Sequence, residues 1–119
     1  MEASAHTEVL RAGDLEIRPS EYLVLAAGKR IDLTSREFAL LVCMARRLGR
    51  IVGRDELFAV VWGRDYRAGD RSVDVYVAKL REKLESALPR CSYIHTHFGF
   101  GYRFSPEPLQ PIHIPATGP

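Results

Sequence analysis

A chain of 119 residues has room for one domain around a single core. Apolar residues at 46% and charged residues at 27% are ordinary for a globular domain, and a formal net charge of +2 is too small to argue for nucleic acid. No apolar run approaches the ~20 residues of a membrane span, no signal-peptide core opens the chain, and Cys43 and Cys91 form neither a disulfide framework nor a paired metal motif. A soluble protein of a reducing cytoplasm, with no membrane partner, is expected.

Residues 1–12 carry little pattern and read as a flexible lead-in to a domain over 13–105. Three short β candidates follow, Leu15-Glu16-Ile17, Tyr22-Leu23-Val24-Leu25 and Arg30-Ile31-Asp32-Leu33, parted by Pro19-Ser20 and Gly28-Lys29. They predict an antiparallel meander. Thr34-Ser35-Arg36-Glu37 is a capping box, and it opens a helix whose Phe38, Leu41, Val42, Ala45 and Leu48 share one face. Gly49 stops that helix near Arg46-Arg47. Arg50-Ile51-Val52 is a short extended link, and Gly53 can cap a second helix over Arg54 to Trp62, buried through Leu57, Phe58, Val61 and Trp62. The connection to the third helix is longer than the three or four residues of an ordinary helix-turn-helix.

That third helix, about 71–87, organises the rest. Val73, Tyr76, Val77, Leu80 and Leu84 form one apolar stripe, and the opposite face collects Arg71, Val75, Ala78, Lys79 and Glu82. Such a face suits a DNA major groove. Arg and Lys reach phosphates or guanine edges, while Val and Ala allow close approach and can touch a thymine methyl. Asp70 is the expected N-cap and Asp74 a first-turn charge favoured by the helix dipole. After Leu88-Pro89, the runs Tyr93 to Thr96 and Gly101 to Phe104 flank Gly99 and Gly101 and predict a hairpin. A helix followed at once by a hairpin is the order of a winged helix, with the hairpin as a wing beside the adjacent minor groove. Beyond 105, five of the seven prolines favour an extended, flexible tail over 106–119. From Arg64 to Arg103 eight cationic residues face five acidic ones, a weak basic footprint.

LTSREFALL (33–41), RIVGRDELFAVVWG (50–63), DRSVDVYVAKLREKL (70–84) and IHTHFGFGYRF (94–104) together resemble the DNA-binding effector domain of the OmpR/PhoB family of response regulators. The resemblance implies an α+β winged helix-turn-helix: an N-terminal antiparallel sheet, three helices and a C-terminal hairpin wing. It implies sequence-specific binding to double-stranded promoter DNA, head-to-tail pairing on direct repeats, and regulation of bacterial transcription. The loop with Arg64, Asp65, Tyr66 and Arg67 matches the transactivation loop, which in the family faces RNA polymerase. Arg71 and Ser72 match phosphate-holding positions. Lys79 falls where the family often places a base-reading Arg, Ala78 where another Arg is common, and Arg81 at a further basic contact. Trp62 and Tyr102 match donors to the DNA backbone, and Thr96 matches a wing-base contact. The wing departs from the family: its usual Arg is Phe98 here, preceded by His97 in place of an aliphatic residue. Phe98 is expected to pack back onto the hairpin rather than lie against sugars, leaving His97 as the wing's cation. The family's receiver domain is not part of this sequence.

His95 and His97 alternate on one strand and share a face, but a zinc site needs two more ligands and none stands at a supporting spacing. No metal and no cofactor is expected. The scattered carboxylates form no catalytic arrangement, and Gly99-Phe100-Gly101 lacks the third glycine and following helix of a dinucleotide site. Catalysis is not expected. Arg46 and Arg47 read as solvated charges at a helix end, whereas Arg54 stands between solvation and phosphate contact. Two function classes remain: a sequence-specific DNA-binding regulator, and a winged-helix module that contacts RNA polymerase or a partner domain with little DNA affinity.

Overall fold

A computed structural model describes residues 7–109. Strands β1 (Leu10–Ala12), β2 (Leu15–Arg18), β3 (Leu23–Ala26) and β4 (Lys29–Arg30) form an antiparallel meander in chain order. Period-2 alternation decides its orientation: Leu15, Ile17, Val24 and Ala26 are buried, and the register sets Ile17 opposite Val24 and Leu15 opposite Ala26. Two boundaries differ from expectation. Leu10–Ala12, expected as lead-in, pairs with Leu15–Ile17, because Gly13-Asp14 closes a tight hairpin that the short run did not advertise. The run Arg30 to Leu33 contributes only Arg30 to the ladder; Ile31 still donates to the Val24 carbonyl, and the chain then leaves for the helix cap.

Helix α1 (Ser35–Ala45) begins with both capping-box bonds, Glu37 N–H to Thr34 Oγ1 at 3.2 Å and Thr34 N–H to Glu37 Oε1 at 2.9 Å. It is buried on nearly every side from Leu40 to Ala45. The helix ends at Ala45, so Leu48, expected on its buried face, is exposed beyond it. There the Gly49 N–H donates to the Phe104 carbonyl at 2.8 Å and redirects the chain into β5 (Ile51–Val52). Expected as a bare link, β5 pairs with the final hairpin. Helices α2 (Arg54–Trp62) and α3 (Ser72–Ala87) follow, then β6 (Cys91–His97) and β7 (Gly101–Pro108). The second sheet has the order β5-β7-β6, all antiparallel. Strand β7 runs three residues into the expected tail, and Leu109 N–H still bonds the Arg90 carbonyl. The rest of that tail, and residues 1–6 of the lead-in, lie outside the described residues.

Three helices thus sit between two small sheets, and α3 presents Val73, Val77, Leu80 and Leu84 to the shared core, as its stripe predicts. The sheets are also joined directly, by Tyr93 on β6 donating its hydroxyl to the Ala12 carbonyl on β1 at 3.0 Å. Among the described residues no helix is long and apolar enough to cross a membrane.

Candidate nucleic-acid interface

The cap of α3 sits one residue earlier than an ordinary N-cap: Asp70 Oδ1 accepts the Ser72 N–H at 2.8 Å while Arg71 occupies the cap position. Those bonds, to the side chain and backbone of Ser72, hold the Asp70 carboxyl below its usual range. Arg71 and Ser72 therefore stand at the positive end of a sixteen-residue helix, where the helix dipole and the Arg71 cation favour an anion. One and two turns on, Val75, Ala78 and Lys79 are exposed, so the face expected to meet DNA faces solvent. The Lys79 ammonium lies 5.0 Å from the centre of the Tyr76 ring.

Charge pairing separates the cations into two groups. Arg46 binds Glu8 (2.5 Å), Arg47 and Arg50 share Glu56 (2.7 and 2.9 Å), and Arg54 binds Asp74 (2.7 Å). The reading of Arg46 and Arg47 as merely solvated thus gives way to ion pairs, and Arg54 is an internal partner. Arg71, Lys79 and Arg81 on α3 have no carboxylate partner among the described residues.

The first turn of α3 is fixed by a cluster that the sequence reading did not foresee. Asp74 accepts the Tyr102 hydroxyl and the Arg54 guanidinium, whose carbon lies 5.1 Å from the Tyr102 ring centre. Burial opposes the charge of Asp74, yet the bonds from Tyr102 and Arg54 outweigh it and hold the carboxyl below its usual range. Burial, then the neighbouring carboxylate, pushes the Tyr102 phenol up. Tyr102 is 5% exposed and its proton is committed to Asp74. The hydroxyl expected to donate to a DNA backbone thus donates to Asp74 here and ties β7 to the first turn of α3.

Arg81 and Thr96, expected as separate contacts, meet each other, Nη2 donating to Oγ1 at 2.9 Å and tying α3 to the wing strand. Trp62 stacks on Phe58 (5.2 Å, 6°), meets the edge of Tyr76 (5.5 Å) and carries Arg36 over its ring (4.9 Å). This aromatic line locks α2 to α3. In the α2–α3 loop Tyr66 turns inward against Phe58, while Arg64, Asp65 and Arg67 remain exposed.

In the wing, His95 Nε2 donates to the Ser105 carbonyl (2.8 Å), and His97 Nε2 accepts from Arg103 Nε (3.1 Å). That bond requires a neutral His97 ring protonated on Nδ1. Phe98 is 87% exposed and does not fold back onto the hairpin as expected; Phe100 is 74% exposed beside it. The tight turn, with Phe100 N–H bonded to the His97 carbonyl and Gly99 at φ +83°, leaves neither ring an apolar surface to cover.

The profile described as "Transcriptional regulatory protein, C terminal" matches residues 28–104. The alkaline phosphatase synthesis transcriptional regulatory protein PhoP of Bacillus subtilis is 38% identical over 91 residues, which cover 76% of this chain and 38% of that protein. The chain therefore spans well under half the length of that relative. The RstA DNA-binding domain of Klebsiella pneumoniae, solved in complex with the RstA box, superposes with a TM-score of 0.76 at 33% identity, covering 84% of this chain and 99% of that one. The DNA-binding domain of CpxR from E. coli gives 0.75 at 28% identity, covering 82% and 96%. A meander, three helices and a winged hairpin in this order, with a profile match across most of the described residues, identify the chain as a member of the OmpR/PhoB family of transcriptional regulatory proteins, a winged-helix DNA-binding effector domain.

Proposed function

We propose that this domain regulates bacterial transcription by sequence-specific binding to double-stranded promoter DNA, with α3 in the major groove and the wing at the adjacent minor groove. The unpaired cations of α3 carry the reading: Arg71, Lys79 and Arg81 lack carboxylate partners among the described residues, while Arg46, Arg47, Arg50 and Arg54 are paired. An unpaired cation can replace a condensed counterion on DNA, whereas a paired one must first break its own bond. In this reading Arg71 and the Ser72 N-terminal turn hold a phosphate. Lys79 reads a base edge, with Val75 and Ala78 allowing the approach. Trp62 supplies its indole N–H to the backbone, and Arg81 spends its remaining donors on a phosphate while Thr96 keeps it in place. Head-to-tail pairing on direct repeats suits a domain whose exposed apolar side chains, among the described residues, are scattered over several elements. Arg64, Asp65 and Arg67, held out by the inward Tyr66, are the surface offered to RNA polymerase. Such a regulator works on chromosomal DNA in the bacterial cytoplasm and needs neither catalysis nor a cofactor.

Selection of bound genomic fragments, followed by mobility shifts at two salt concentrations, tests this. A preferred fragment whose affinity falls steeply with salt supports it. Equal affinity for all fragments, or none, refutes it and favours the protein-contact module.

A further inference from the structure

The tip of the wing, residues 98–100, carries two phenyl rings in water and no charged residue of its own. Phe98 and Phe100 are 87% and 74% exposed and flank Gly99 in a turn closed by the Phe100 N–H to His97 carbonyl bond at 2.9 Å. On the strand that follows, the Arg103 guanidinium is bound to His97 at 3.1 Å and to Glu107 at 2.9 Å. Charge attraction is therefore not what this tip offers. Its base is held firmly. A Cβ on Gly101 would lie 2.0 Å from the Val52 carbonyl oxygen, so β5 and β7 are in the closest backbone contact, and Arg81 of α3 bonds Thr96 two residues before Phe98. Two strand residues span about 7 Å, so the rings project just past the point where the wing is tied to α3.

We propose that Phe98 and Phe100 form an apolar wedge that enters the minor groove flanking the α3 site, partly unstacks one base step and bends the duplex toward α3. This rests on the DNA-binding reading above. Exposed aromatic rings gain most from a dry, flat surface, and on a duplex such a surface exists between stacked bases. A minor groove about 6 Å wide admits a hairpin tip only when opened, and wedging from that side kinks DNA toward the major groove. The helix occupies that groove in the proposed complex, so the bend would wrap the duplex onto it. Pyrimidine–purine steps, which unstack most readily, are the sequence the wedge would favour.

The test uses the whole chain and a duplex recovered by genomic-fragment selection with the wild-type protein. 2-Aminopurine is placed at successive flanking steps, and end-to-end energy transfer reports the bend. Wild type should raise 2-aminopurine fluorescence at one step and bend the duplex by about 20–40°. Phe98→Ala/Phe100→Ala should still bind, with the bend and the fluorescence rise lost and affinity down about tenfold or more. Phe98→Leu, an apolar side chain of similar reach, should keep the bend. An unchanged melting temperature of the double variant, expected for exposed residues, shows that folding is intact. Tight wild-type binding with neither bend nor unstacking overturns the wedge and leaves the DNA-binding reading standing, as does a double variant of unchanged affinity and bend; the rings would then serve a protein partner. Absence of any preferred duplex overturns both.

Discussion

Replacing Lys83 by Met tests how α3 is held on its scaffold. The Glu37 carboxylate on α1 is 2% exposed, and its Oε1 accepts the Thr34 N–H at 2.9 Å and the Lys83 ammonium of α3 at 2.6 Å. Lys83→Met keeps most of the stem and removes the charge, leaving a buried carboxylate with the backbone cap as its main donor. Breaking a fully buried pair costs about 3–5 kcal/mol. The lysine side chain is 40% exposed and the Thr34 bond survives, so the expected loss here is about 2 kcal/mol, near 10 °C in a domain of this size. Burial, the largest influence, raises the Glu37 carboxyl, but the Lys83 and Thr34 bonds outweigh it and hold it below its ordinary 4.5. A depressed carboxyl stabilises the fold fully above that ordinary value and loses its contribution as pH falls through the folded one. Wild type and variant should therefore differ most above about pH 5 and converge in acid. Denaturant melts from pH 3 to 7 measure this, with Glu37→Gln/Lys83→Met expected to recover part of the loss. A gap under about 0.5 kcal/mol at pH 7, or one that stays constant into acid, refutes the reasoning.

Lys79→Ala should cost about 1–3 kcal/mol on the preferred duplex and relax one base position, whereas Arg71→Ala should weaken all duplexes alike and lower the salt slope by about one phosphate; identical behaviour across a panel of sites would mean α3 is oriented otherwise. In a double-mutant cycle, Arg81→Ala and Thr96→Val should show a coupling of about 1 kcal/mol in stability; additive losses would mean that the helix–wing bond contributes nothing. Gly101→Ala should destabilise by about 3 kcal/mol or more, since its Cβ meets the Val52 carbonyl and its φ is +139°; a loss below about 1 kcal/mol in thermal melts contradicts the close packing of β5 on β7. Asp74→Ala should lower stability by about 2 kcal/mol at neutral pH by leaving the Arg54 charge without its carboxylate and the buried Tyr102 proton without its acceptor, with a smaller loss in Asp74→Ala/Tyr102→Phe by denaturant melts.

Much of the fold was legible because its signals are local. The stripe of α3, the Thr34–Glu37 box and the Gly-rich hairpin each lie within one window of sequence, and each formed as read. The misses are pairings across distance. Ile51-Val52 is too short to show a period, and it becomes a strand only because Tyr102-Arg103, some fifty residues on, lies beside it. Arg54, Asp74 and Tyr102 come from three different elements, so no local pattern joins them. Phe98 departs from a general rule: an aromatic ring is expected to find cover, but a three-residue hairpin loop with Gly99 at its centre has none nearby to give.

The Arg81–Thr96 bond also works as a ruler. Because one wing strand, β6, is fastened to α3 and the other, β7, to β5, the distance between α3 and the wing tip is held from both sides. Each base pair inserted between the sequences they meet advances the second by about 3.4 Å and turns it by roughly 35° around the duplex axis. A domain with a loosely hinged wing could follow such a change, and this one cannot. Its operators should therefore tolerate base substitutions between the two contacted segments far better than single-base insertions.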